Sequence, residues 1–303
     1  MKKTRKFGKI ISMILTVAVA AVMVLSPAAV SAGSTEDSLS DTYVSLGANL
    51  TESERAVVLD LLGLTESDLQ NCTVVQVTNQ EEHEYLDEYL SSAVIGNRAI
   101  SSVKVVNKDK GNGINVETRN INYCTESMYQ NALATAGLED ADVTVAGPFS
   151  VSGTAGLIGA IKAYDTMTGK DTAEESIEAA TQELVTTSEL GESMGDQESA
   201  STLVGAVKDK VVSEGLETEE EIRNAIEETA DQMDISLTED QIAKILDLMD
   251  QIKDLDLDID ALKEQAKGLY DKLDSLDIDL SAAQGFFSRI GEFFSNLWDR
   301  IFG

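Results

Sequence analysis

The feature that most constrains this chain is the place where its hydrophobic period changes. Between residues 73 and 146 short β-branched runs alternate with helical stretches, whereas from Gly153 onward only helical spacing is found. The segments 73–78 (TVVQVT), 100–106, 114–123 and 142–146 read as strands. The segment 81–90 and the stretch opened by Thr125 read as helices. The order β-α-β-β-α-β predicts a ferredoxin-like split βαβ domain. Lys108-Asp109-Lys110-Gly111-Asn112-Gly113 predicts a hairpin turn between the two middle runs. The expected fold class is therefore α+β, with this domain over 47–170 and an all-helical region over 171–303.

Helix starts are written clearly. Thr51-x-x-Glu54, Thr218-x-x-Glu221 and Thr238-x-x-Gln241 are capping boxes, in which each side chain satisfies a backbone N–H that the helix leaves open. The segment 237–249 (LTEDQIAKILDLM) echoes 50–62 (LTESERAVVLDLL), and Leu64-Thr65-Glu66-Ser67 repeats Leu50-Thr51-Glu52-Ser53. This is a reused opening device rather than a solenoid. Helices are expected at 172–190 and 203–212, separated by a loose stretch at 191–201, while the small polar residues 33–46 read as a flexible lead-in. Gly153, Gly156 and Gly159 lack the lysine of a phosphate-binding loop, so close helix packing is their expected role.

Both chain ends carry further signals. Lys2, Lys3, Arg5, Lys6 and Lys9 precede an apolar run at 10–25 and a small-residue site, Val30-Ser31-Ala32. This predicts a signal peptide over 1–32, cleavage after Ala32 and an extracellular or cell-surface location. No cysteine follows the run, which excludes a lipid anchor there. Cleavage would leave 18 basic residues against 54 acidic ones, a net charge of −36. Such a chain repels nucleic acid and attracts divalent cations loosely. Within 281–302, Phe286, Phe287, Ile290, Phe293, Phe294, Leu297, Trp298, Ile301 and Phe302 share one half of a helix. That face would dock on the protein's own core, lie on a membrane surface, or meet an envelope partner or second copy.

In the split βαβ arrangement Cys72 opens the first strand and Cys124 closes the third, which would set them at one end of neighbouring strands. A disulfide is expected there, worth about 4 kcal/mol, with two free thiols as the alternative. Chemistry is otherwise sparse. His83 is the only histidine and reads as a solvated helix residue among Glu81, Glu82 and Glu84. Asp254, Asp256, Asp258 and Asp260 imitate the start of a calcium loop, but Ile259 and Gln265 stand where glycine and glutamate are needed. They are a weak calcium candidate at most, and no cofactor or catalytic residue is expected.

Three stretches carry a family resemblance: 43–63, 128–165 (with AGLEDADVTVAGP and SGTAG) and 220–249. They resemble the secreted proteins known as domain of unknown function 1002, the YpuA-like proteins of Gram-positive bacteria. The resemblance implies export and a length near that of this chain, and transfers no catalytic residue. The expected function is a non-catalytic interaction or structural role at or outside the cell surface. The alternatives are a membrane-associating protein acting through 281–302 and a carboxylate-based hydrolase.

Overall fold

A strand inside the polar segment 33–46 organises the sheet. The computed structural model describes residues 39–259 and Leu262, and in it β1 (Thr42–Gly47) is buried almost throughout. Val44 and Leu46 meet one layer of helix while Ser45 meets the other. The remaining strands are β2 (Thr73–Val77), β3 (Ser102–Asn107), β4 (Ile114–Ile121) and β5 (Ala141–Val151), and the five lie in the order β2-β1-β3-β5-β4. β2 runs parallel to β1 and β4 parallel to β5, while central β3 is antiparallel to both of its neighbours. Four strands therefore end on the same edge.

This topology corrects two expectations. The sheet is mixed, with five strands, and is not the antiparallel ferredoxin-like arrangement. Nor do β3 and β4 form a hairpin, because β5 inserts between them. The 108–113 loop bridges over that strand instead, and the Gly111 and Gly113 N–H groups both donate to Asp140 Oδ1, at 2.9 and 2.8 Å. The physical cause is that β5 is apolar at Ala141, Val143, Val145 and Ala146, all buried, and so takes an interior position that an edge strand cannot offer.

Helices cover the two faces unequally. On one side α1 (Glu52–Leu61) places Val58 and Leu59, with Leu62 and Leu64 behind it, on Val44, Leu46 and Ala146. On the other lie α4 (Glu126–Thr135) and α5 (Thr154–Thr168), with α2 (Asn79–Leu86) and α3 (Ser92–Ile95) at the edge where the four strands end. The glycines of α5 permit a very close approach. A Cβ on Gly159 would stand 2.8 Å from Ser45 Oγ, and one on Gly156 would stand 2.5 Å from Val145 Cγ1. Close packing is thus the role of these glycines, as their pattern suggested.

Beyond them come α6 (Glu174–Met194), α7 (Gln197–Glu214), α8 (Glu219–Gln232) and α9 (Glu239–Ile252). The expected loose stretch at 191–201 is helix on both sides of a two-residue break at Gly195 and Asp196. Asp196 caps α7 by accepting from the Ser199 N–H at 3.1 Å. Between α4, α6 and α7 sits a fully buried ion pair. Lys208 Nζ is 2.9 Å from Glu183 Oε1 and donates to Asn131 O at 2.9 Å and Thr135 Oγ1 at 3.0 Å.

Candidate functional site

Open sheets with parallel strands gather loops and helix N-termini beyond the strands' carboxyl ends, and ligands bind there. A cavity of about 500 Å³ opens at that edge. One wall is Glu82 in the first turn of α2 together with Ile95, Arg98 and Ser101 around and after α3. The facing wall runs from Asn122 and Tyr123 after β4 to the end of β5 and the start of α5, including Phe149, Ser152 and Thr154. Phe149 stands 51% exposed at the rim.

The floor is polar and pre-arranged. Glu82 is 1% exposed and accepts from Thr154 Oγ1 at 2.9 Å and Asn79 Nδ2 at 3.2 Å. Burial pushes its carboxyl above the usual range, against the opposing pull of those two donors and of nearby His83. Thr154 opens α5, whose preceding residue Gly153 has φ of +99° and no room for a Cβ, which would stand 2.4 Å from Tyr129 Oη. Only glycine satisfies both demands. The Tyr129 hydroxyl donates to Gly153 O at 2.5 Å, and Ser101 Oγ accepts from the Gly156 N–H at 3.0 Å. The N-terminus of α5 is therefore pinned from beneath.

The rim is tied down by charge. Arg98 donates to both oxygens of Glu54, at 3.1 and 2.5 Å, and to Asn49 O at 2.7 Å. The guanidinium holds the Glu54 carboxyl down to about 2, with help from the Thr51 cap. His83 places Nδ1 2.6 Å from Asp87 Oδ1 and Nε2 3.1 Å from Gly96 O. Acceptors at both ring nitrogens favour the imidazolium, and Asp87 accordingly raises its pKa. His83 thus latches α2 to the loop at Gly96 and does not line the cavity.

The other residues singled out in the sequence fall elsewhere. Cys72 and Cys124 are both free, which corrects the expected disulfide. They flank β2 and β4, the two edges of the sheet, at opposite ends of strands running the same way. Four inter-strand steps of about 4.8 Å separate them by roughly 19 Å across the sheet alone, far beyond bridging distance. Burial pushes the Cys124 thiol up to about 12, which favours its protonated form.

Among the described residues no three acidic, histidine or cysteine side chains converge to hold a metal. Asp254 pairs with Lys253 at 2.8 Å, and Asp256 and Asp258 line a second cavity, of about 410 Å³, with Asp165 and Asp171. Asp260, the expected aromatic face at 286–302 and the expected signal peptide at 1–32 lie outside the described residues.

Sequence reasoning missed Glu82, grouping it with solvated neighbours. Its signal was present: Glu82 stands three and four residues before Tyr85 and Leu86 and so falls on the apolar side of α2.

No solved structure matches this chain. It is similar to the uncharacterized protein YpuA of Bacillus subtilis (strain 168), with 40% identity over 262 residues, covering 86% of this chain and 88% of the relative. The family model described as protein of unknown function, DUF1002, matches residues 46–269, a span that contains the whole cavity and ends before the aromatic face. The chain belongs to that family.

Proposed function

We propose that this protein is exported and acts outside the cell as a non-catalytic binding protein, with the cavity beyond β4 and β5 as its binding site. The observation that carries this reading is the composition of the cavity lining. It holds one carboxyl, Glu82, and one guanidinium already claimed by Glu54, with apolar and aromatic walls and small hydroxyls between them. Orientation of a ligand needs no more than that: a mostly apolar concavity with a few placed polar groups, and a volume within the usual ligand-site range. Glycoside hydrolysis by the usual carboxyl pair calls for a second carboxyl facing the first, and Glu82 is the only acid in this lining.

The test is a fragment titration followed by amide resonances, comparing the chain with an Ala93→Trp variant. Ala93 lines the mouth and is solvent-exposed, so the larger ring plugs the entrance without disturbing the core. Fragments that shift Ser101, Ser152 and Thr154 in the parent chain and leave them unmoved in the variant support the reading. Shifts scattered over the surface, equal in both proteins, would remove it. Export has its own readout: N-terminal sequencing of the secreted product should begin at Gly33.

A further inference from the structure

We infer that the ligand of this cavity is an organic cation, a primary ammonium carried on an apolar or aromatic body, such as the amino end of a hydrophobic peptide. The inference rests on the binding reading above and adds the ligand's chemistry. Three observations lead to it. The first is that the charge lining the cavity reduces to Glu82. Arg98, the other charged residue of the lining, is held by both oxygens of Glu54 and by Asn49 O. The charge of nearby His83 is answered by Asp87 at 2.6 Å.

The second is the state of Glu82 itself. An ionised carboxylate offers about four lone-pair directions, and two neutral donors, Thr154 and Asn79, occupy Glu82. Both oxygens accept from neutral donors only, Oε1 from Thr154 and Oε2 from Asn79, so no cation hydrogen-bonds this carboxyl, and charge-assisted hydrogen bonds are the stronger ones. An anion would face the same carboxylate at close range with no free guanidinium to receive it.

The third is the rim. Phe149 is exposed and Tyr123 half-buried beside the opening. Aromatic faces attract cations and cover the apolar part of a ligand. At long range the chain's formal net charge of −31 concentrates cations and turns anions away.

The experiment uses the exported chain, residues 33–303, and three probes that share one body. They are L-phenylalaninamide (a cation), N-acetyl-L-phenylalaninamide (neutral) and N-acetyl-L-phenylalanine (an anion). Each is titrated to about 10 mM, where even millimolar binding registers, against the amide resonances of Ser101, Ser152 and Thr154.

The cation is expected to bind at least tenfold more tightly than the neutral analogue. The Glu82→Gln variant is expected to erase that preference, so that cation and neutral probe bind it equally. Equal affinity for cation and neutral probe, or preference for the anion, overturns the ligand class and leaves the cavity a binding site. A preference that survives Glu82→Gln also overturns it. If no probe moves those resonances, ligand class and binding reading fall together. A Glu82→Gln chain that does not fold leaves the comparison of the three probes on the parent chain to decide.

Discussion

The half of the molecule built on the sheet and the half built from α6 to α9 solve the same burial problem in different ways. Around the sheet, packing is set by what is missing. The absent side chains of Gly156 and Gly159 let α5 lie against β1, β3 and β5, and the space left at the strand ends becomes the cavity. Among the helices, packing is set by what is inserted. A lysine and a glutamate are sealed between α4, α6 and α7 with threonine and backbone carbonyl partners. Close backbone approach leaves an open cavity at the strand ends, whereas the buried ion pair carries a desolvation cost that its hydrogen-bond partners offset.

Breaking the buried pair gives the largest expected effect. Lys208→Ala leaves the Glu183 carboxylate buried without its cation and should lower stability by about 3–5 kcal/mol, read from denaturant midpoints. The double variant Lys208→Met with Glu183→Leu should recover most of that loss. If the single variant unfolds at the parent midpoint, the pair does not hold the helical half together.

On the sheet side, Gly156→Ala should cost about 1–3 kcal/mol through overpacking against Val145 and Tyr129. Removing a cap tests the helical half more gently. Thr238→Ala, which opens the capping box of α9, should cost about 1 kcal/mol. A larger loss from Thr238→Ala than from Gly156→Ala would reverse the ranking of frame over cap.

Glu82→Gln should change a slope rather than a level. Its folded carboxyl is raised above the ordinary 4.5, so the unfolded chain releases the proton first as pH climbs. The contribution of Glu82 is therefore fully present below about pH 4.5 and is lost as pH rises through the folded value. Melting temperatures measured across that window should fall less steeply with pH for the variant. A parallel pair of curves would mean that Glu82 titrates in the folded protein as in water. The smallest effect is expected from reductant: with Cys72 and Cys124 free, dithiothreitol should leave the melting temperature of the protein unchanged.

Particular residues show what could be read in advance. The threonine caps at 51, 125, 218 and 238 stand where the sequence put them, because a cap is a local bond between residues three apart. Strands β2 to β5 were also legible as β-branched runs. β1 was not, since its Thr-Tyr-Val-Ser-Leu-Gly follows a polar stretch and carries only three bulky apolar side chains. Without β1 the partners of every other strand were misassigned, and the disulfide was inferred from neighbours that do not exist. The cavity was invisible for a related reason: its walls come from residues 82 to 155, brought together only by that strand order.

The sequence by itself determined where the threonine-capped helices begin and that the chain belongs to its family. Both follow from short-range bonding and composition. Tertiary structure alone decided which strand lies beside which, that Glu183 and Lys208 are buried, and that the cysteines lie apart. Those outcomes depend on contacts between residues far apart in the chain, where burial outweighs the polar character that each side chain shows in isolation.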